Sequence, residues 1–431
     1  MPGPPPARAL FLSGLTGPSR ALPRALPRAR SVFPAAVLVC LALVALAQLG
    51  LAPACPAETA APRARDLGVP FEGTPGPLNA ITDVAGVEVG QVSLISGQGK
   101  LVVGKGPVRT GVTAVLPRGK ADPTPVLAGF STFNGNGEMS GAAFVEETGV
   151  LETPVLMTNT HSVGLVRDSV VAWGNRAKID RPDLPDRESW LPLVGETQDD
   201  ALNDILGFHV KKEHVFQALD QAASGPVAEG NVGAGVGGMT FMFKSGMGTA
   251  SRVLPKDKGG YTVGVLLQSN FGWDHRESLL IAGLPVGREI PDLAPVLALG
   301  ERPLHGEGSL CCVVATDAPL LPHQLKRLAR RVALGMARVG SKAHNGSGEF
   351  FLAFSTASPE AGQTTGPRPV SMLPNQKIDA LFDAVVEATE EAIVNSLVAA
   401  KTMEGVDGNV AYGLPHDRLR AVLAKYNRLE K

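Results

Sequence analysis

Residues 310 to 315 read Leu-Cys-Cys-Val-Val-Ala, and every side chain in the run is apolar. Successive side chains of a strand point to opposite faces, so Cys311 and Cys312 must each find an apolar layer. A run of this kind fits a buried strand with cover on both sides. The downstream chain supplies that cover. Asp317-Ala318-Pro319 is a helix-start signal, and Leu325, Leu328, Ala329, Val332, Met336 and Val339 then mark one helical face. "EFFLAFST" (349–356) reads as another strand. A second helix, about 376 to 401, carries Ile378, Leu381, Phe382, Val385, Ala388 and Ala392 at helical spacing. Strand–helix–strand–helix behind a strand-rich first half predicts layered sheets covered by helices.

The first half is less regular. "NAITDVAGVEVGQVSLI" (79–95) reads as strand material with turns, and 109–117, 124–132 and 260–272 read as strands. A helix is expected from near Val163 to about 175. Residues 177 to 204 are polar and proline-rich, which predicts a long surface excursion. Leu202, Ile205, Leu206, Val210, Val215 and Leu219 then fall roughly on one helical side. The 431 residues are 44% hydrophobic, enough for a large core. The formal net charge of -1 leaves no basic stripe for a nucleic acid.

The N-terminus reads as an address. Arg8, Arg20, Arg24, Arg28 and Arg30 form a basic, acid-free leader, and Ser31 to Ala54 carries no charge. Basic region, apolar region and the small residues Ala52-Pro53-Ala54 follow the order of a secretory signal. A retained anchor is the alternative, because the uncharged run approaches the ~20 residues that span a bilayer. A lipid-modified Cys55 is a third. The expectation is an exported protein, periplasmic or membrane-anchored facing the periplasm. Its parts would be a leader at 1–54, a linker at 55–75 and one catalytic domain at 76–431.

Two motifs are misleading. Gly233 to Gly238 matches GxGxxG, but "MTFMFK" comes after it, which is strand-like where a dinucleotide site needs a helix. His209, Glu213 and His214 miss the zinc-helix spacings, and no HExxH or GxSxG occurs. No metal or organic cofactor is predicted.

Gly308-Ser309, at the mouth of the core strand, is either a turn or a site of chemistry. If the bond between them breaks, Ser309 gains a free α-amine with a reference pKa of about 8. That amine can take the proton of its own residue's hydroxyl, the arrangement of N-terminal nucleophiles. Glycine at 308 would tolerate the backbone distortion that lets the Ser309 Oγ attack the preceding carbonyl.

Several co-linear stretches decide between the two. They are "LNAITDVAGVEVG", "NTHSVG", "GNVGAGVGGMTFMFKSGMGTASR", "YTVGVLLQSNFG", "GEGSLCCVVATDAPLLPHQLKRLARR" and "NGSGEFFLAFST". On these, over about residues 66 to 420, the chain resembles the DmpA-type L-aminopeptidase/D-esterase and β-peptidyl aminopeptidase family, within the N-terminal-nucleophile hydrolases. The resemblance implies an αββα sandwich, two stacked sheets between helices, self-cleaved into about 55–308 and 309–431. It implies Ser309 as nucleophile, Ser347 and Glu349 supporting its hydroxyl and amine, and Asn270 stabilising the oxyanion. Glu196 in "GETQDD" would receive the substrate's α-ammonium. Taken alone, "NGSG" is a turn, Asn270 a strand-ending turn former and Glu196 a solvated loop charge. Gln198 departs from the family pattern, which usually has Tyr or Trp there. The implied substrate is a short peptide or an amino-acid amide or ester, and the implied assembly a homo-oligomer of processed heterodimers. An acyltransferase of the same fold and a non-catalytic exported binding protein are the competing readings. Ser309 argues against the first, whose nucleophile is threonine, and intact Ser309, Ser347 and Glu349 argue against the second.

Overall fold

The apolar run is a central strand. In the computed structural model, which describes residues 62–180, 190–298, 308–362 and 365–430, strand β11 (Gly308–Thr316) is buried from Ser309 onward. It pairs antiparallel with β10 (Thr262–Phe271) and parallel with β12 (Gly348–Ser355). β9 (Met247–Val253) extends the sheet beyond β10. β3 (Val126–Gly135) and β4 (Val150–Leu151) extend it beyond β12, giving the order β4-β3-β12-β11-β10-β9. A second mixed sheet has the order β1-β2-β5-β6. Its strands are β1 (Glu88–Ser96), β2 (Val108–Leu116), β5 (Val155–Asn159) and β6 (Leu193–Thr197).

The alternation of side chains explains the layers. Cys312 and Val314 face helices α5 (Pro322–Ala329), α6 (Val332–Arg338) and α7 (Asp379–Val398), with Leu325, Val332 and Val385 in the same cluster. Cys311 and Val313 face the other sheet, in a cluster with Val115, Met157 and Leu193. The far side of that second sheet packs on α2 (Val163–Asp180) and α3 (Lys212–Gln221) through Val112, Leu156, Val166 and Leu219. The layer order is therefore helices, sheet, sheet, helices. Burying each Leu, Val or Phe in such a cluster contributes roughly 1.5–3 kcal/mol.

Several expectations need correction. The apolar spacing from Leu202 to Leu219 is not one helix. A 3-10 turn at Ile205–Gly207 ends at Phe208, whose φ is 49°, and only Lys212–Gln221 is α-helical. The face from Leu325 to Val339 is split between α5 and α6. The stretch 177–204 is not all surface, since α2 runs on to Asp180 and β6 is wholly buried. Residues 62–75, inside the stretch read as a linker, pack onto the body: Ala64, Leu67 and Val69 join the core, and Arg65 pairs with Glu391 of α7 at 2.7 Å. The leader at 1–54, with Cys40, and residues 55–61, with Cys55, lie outside the described residues.

The glycine-rich stretch forms a 3-10 turn, Gly233–Gly235, then the short hairpin β7 (Met239–Thr240) and β8 (Phe243–Lys244). No helix opens there, so the dinucleotide motif lacks its context. His209 bonds to Asp204 at 2.8 Å, and the His214 ring accepts from the Lys211 N–H at 3.0 Å to cap α3. A last pair, β13 (Met403–Glu404) and β14 (Val410–Ala411), precedes α8 (His416–Lys425).

Candidate active site

The ladder places Ser309 directly opposite Asn270 on β10 and beside Gly348 on β12. Gly308 precedes it with φ of +100°, a region that L side chains rarely adopt. A Cβ at 308 would stand 2.1 Å from the Asn270 carbonyl oxygen and 2.5 Å from the Phe271 Cα. Glycine is therefore required by the approach of two strands as well as by its dihedral. The Asn270 amide is oriented from both ends. Its Oδ1 accepts from the Met239 N–H at 2.9 Å, and its Nδ2 donates to the Gln198 carbonyl at 2.8 Å. An amide nitrogen has two hydrogens, so one remains for a ligand.

Glu196 comes from the other sheet, on edge strand β6, and is 3% exposed. Its Oε1 accepts from the Glu138 N–H at 3.0 Å, and its Oε2 from the Thr160 hydroxyl. Burial pushes its carboxyl above the usual carboxylate range, while these two hydrogen bonds pull it back. A cleft of about 110 Å³ brings Glu196, Gln198, Asn270, Gly308 and Ser309 together.

Ser347 and Glu349 are not among the walls of that cleft. The Ser347 hydroxyl donates to Glu349 Oε1, and Ser347 lines a small neighbouring pocket with His275 and His344. Glu349 lies opposite Leu310, one step along the ladder from Ser309, where the β12–β3 register shifts between Gly348 and Phe350. It is fully buried. Burial raises its pKa, with the Ser347 hydroxyl and nearby Asn134 opposing, and no partner reaches Oε2 in hydrogen-bonding geometry.

Six cleft residues were not singled out from the sequence: Asn136, Gly137, Thr160, Asp200, Trp273 and Gly346. Thr160 lies in "NTHSVG", so a signal existed without a role attached. Trp273, three residues after Asn270, is 6% exposed and packs on Met239 and Leu202. It brings aromatic surface to a cleft in which position 198 is Gln. Among the described residues no three His, Cys, Asp or Glu side chains converge as metal ligands.

Comparison with known proteins bears on the same residues. The profile of peptidase family S58 matches residues 79–411, which takes in Glu196, Asn270, Ser309, Ser347 and Glu349. The chain belongs to peptidase family S58. It is 55% identical over 395 residues to β-peptidyl aminopeptidase BapA of Sphingosinicella microcystinivorans, covering 89% of this chain and 97% of that one. BapA of Sphingosinicella xenopeptidilytica is 49% identical over 391 residues, with 89% and 96% covered. The L-aminopeptidase D-Ala-esterase/amidase of Ochrobactrum anthropi, described as a prototype of the serine aminopeptidases with a variant Ntn-hydrolase fold, superposes with a TM-score of 0.77. It is 44% identical, with 85% of this chain and 99% of that one covered. A Burkholderia β-aminopeptidase gives a TM-score of 0.73 at 45% identity, covering 84% and 99%. This S58 member thus has an Ntn-hydrolase-like α/β fold with two mixed sheets and helices. It is a serine aminopeptidase of the N-terminal-nucleophile type.

Proposed function

We propose that the chain cuts its own Gly308–Ser309 bond and then releases N-terminal residues from short peptides, amino-acid amides or esters, β-amino acid residues among them. The observation that carries this reading is the shared cleft. A buried carboxylate on one sheet, Glu196, and a hydroxyl on the other, Ser309, open onto the same space beside the Asn270 amide. The names of the relatives support the β-peptide part.

In maturation, the Ser309 Oγ attacks the Gly308 carbonyl carbon. The C–N bond breaks, an ester forms, and water hydrolyses it, leaving Ser309 with a free amine. Ser347 and Glu349 support that hydroxyl and amine. The unpartnered Glu349 Oε2 leaves an acceptor for a charge-assisted hydrogen bond from the new ammonium.

In turnover, Glu196 receives the substrate's ammonium. The Ser309 amine takes the hydroxyl proton, Oγ attacks the carbonyl after the first residue, and the free Asn270 N–H stabilises the oxyanion. The leaving amine takes the proton, and water releases the acyl group. Gln198 contributes its backbone carbonyl to Asn270, so its side chain tunes substrate preference more than reaction class. The leader exports the protein to the periplasm, cleaved or anchored near residue 54, and processed heterodimers assemble into a homo-oligomer.

The test is the N-terminus of the smaller fragment. Sequencing should begin at Ser309, and Ser309→Ala should stay one uncut, inactive chain. Any other first residue sinks the assignment. An acyltransferase of this fold would pass its acyl group to an added amine in preference to water, which product analysis separates.

A further inference from the structure

Behind the cleft, two neighbouring side chains tie one sheet to the other. Gln268 on β10 and Cys311 on β11 are register partners, two residues inward from the partners Asn270 and Ser309. Residues two apart on a strand share a face, so all four look the same way. Both inner residues reach β6, the strand that carries Glu196. The Cys311 thiol donates to the Glu196 carbonyl at 3.2 Å. The Gln268 Nε2 shares its two hydrogens among three acceptors, the Thr197 hydroxyl at 2.8 Å, the Ala234 carbonyl at 2.9 Å and the Thr158 carbonyl of β5 at 3.0 Å. Both side chains are 1% exposed or less. The approach is close because residue 195 is glycine: a Cβ there would stand 2.8 Å from the Cys311 Sγ.

We propose that Gln268 and Cys311 are positioning residues that set the spacing between the ammonium site Glu196 and the nucleophile Ser309. They thereby select for the number of backbone atoms between a substrate's amine and its scissile carbonyl. The ends of such a substrate are held by different sheets, so the gap it bridges is an inter-sheet distance. A β-amino acid has one more backbone carbon there than an α-amino acid. The inference rests on Glu196 being the ammonium site.

The experiment compares L-alanyl and β-alanyl p-nitroanilide, with rates normalised to processed enzyme. Gln268→Leu, Cys311→Ala and Thr197→Val loosen the tie from three positions, the last from the opposite sheet. If Gln268→Leu does not fold, the other two carry the test. The ratio of the two kcat/KM values should change by about tenfold or more, since misplacement of about 1 Å can cost on the order of a hundredfold. Cys311→Ser keeps a donor and should hold the ratio near wild type. Parallel losses that leave the ratio within about twofold in all variants would overturn the proposal. N-acetylated substrates, run on the wild type first, separate the two failures. If blocking the amine has no effect, the ammonium-site reading has failed and the spacing proposal falls with it. If blocking matters but the ratio stays fixed, only the spacing proposal has failed.

Discussion

Ser309 and Asn270 are partners across the β10–β11 ladder, and the Asn270 side chain is held at both ends by the Met239 N–H and the Gln198 carbonyl. A donor fixed in advance stabilises developing charge without reorganising at the moment of reaction. Asn270→Ala is expected to lower kcat by about 10²–10³, the scale for loss of one oxyanion donor, with little change in KM. Steady-state kinetics on the processed variant checks this. A matching rise in KM with kcat intact would assign Asn270 to binding.

Gly308→Ala should block or slow maturation. The new methyl meets two backbone groups of β10, which cannot swing aside, and an L residue at φ of +100° is strained as well. The expected result is accumulation of full-length chain on a denaturing gel over hours in which the wild type is fully cut. Cleavage at the wild-type rate would mean that Gly308 is not held in this conformation before the cut.

Glu196 predicts a pH dependence that is visible as a ratio. Its carboxyl lies above the ordinary 4.5, and only the ionised form pairs with an ammonium. The preference for free-amine over N-acetylated substrate should therefore fade as pH falls through that raised value. It should fade again above about 8, where a substrate's α-amine loses its own proton. Protonation of the Ser309 amine affects both substrates and cancels. Glu196→Gln should flatten the acid limb and reduce the preference by about ten- to hundredfold, the cost of one charge-assisted contact of roughly 1.5–3 kcal/mol. An acid limb unchanged in the variant would move the ammonium site elsewhere.

Asp199 lies beneath the cleft wall, fully buried. Burial pushes its carboxyl up to about 7 against hydrogen bonds from Thr110, Asn203 and Asn159. The folded state thus holds a proton that the unfolded chain, titrating near 3.9, gives up. The stability from this group is complete below about pH 4 and is lost as pH rises through about 7. Asp199→Asn removes that loss. The melting temperature of the variant relative to its parent should climb between about pH 4 and 7, measured in a Ser309→Ala background so that each chain unfolds alone. Lys244, buried on the carbonyls of Gly238 and Ser245, is pushed down to about 7 and works in the opposite sense. Its share is complete above about 10.4 and falls away as pH drops through about 7; the Asp199 charge raises the Lys244 value, so this share is not identical in parent and variant. A flat difference curve would show that Asp199 stays ionised in the fold.

The sequence was most legible where local pattern and burial agree. The strands 109–117, 260–272 and 349–356 and the helix around 376–401 recur as β2, β10, β12 and α7. Helical spacing misled where the backbone turns without losing its period. Leu206 sits at a helical offset from Val210, yet Phe208 in the left-handed region breaks the chain between them, and Leu206 is left 55% exposed. β6 was hidden because five residues in a proline-rich stretch carry little strand signal. It forms through parallel pairing with β5, and Gly195 makes a bridge to Met139. That hidden strand is also why Glu196 read alone as a loop charge. Thr160 and Trp273 reach the cleft through tertiary packing, which no local spacing records. Gly308-Ser309 read alone left a turn and a site of chemistry open; the co-linear family stretches, and not the local pattern, pointed to Ser309, which lines the cleft at the start of β11.

The placement of β11 has a further consequence once the bond before Ser309 is cut. One neighbour of that strand, β10, then belongs to the first polypeptide and the other, β12, to the second. Glu391 of the second polypeptide is gripped by Arg65, Arg252 and Asn79 of the first. The two pieces share one sheet and one ion cluster, so the fold itself holds them together. Maturation would convert a first-order refolding reaction into a second-order one. Heat-denatured mature enzyme should recover less well the more dilute it is, while the uncut Ser309→Ala chain should recover independently of concentration. The molecule would gain its working amine at the expense of its ability to start again.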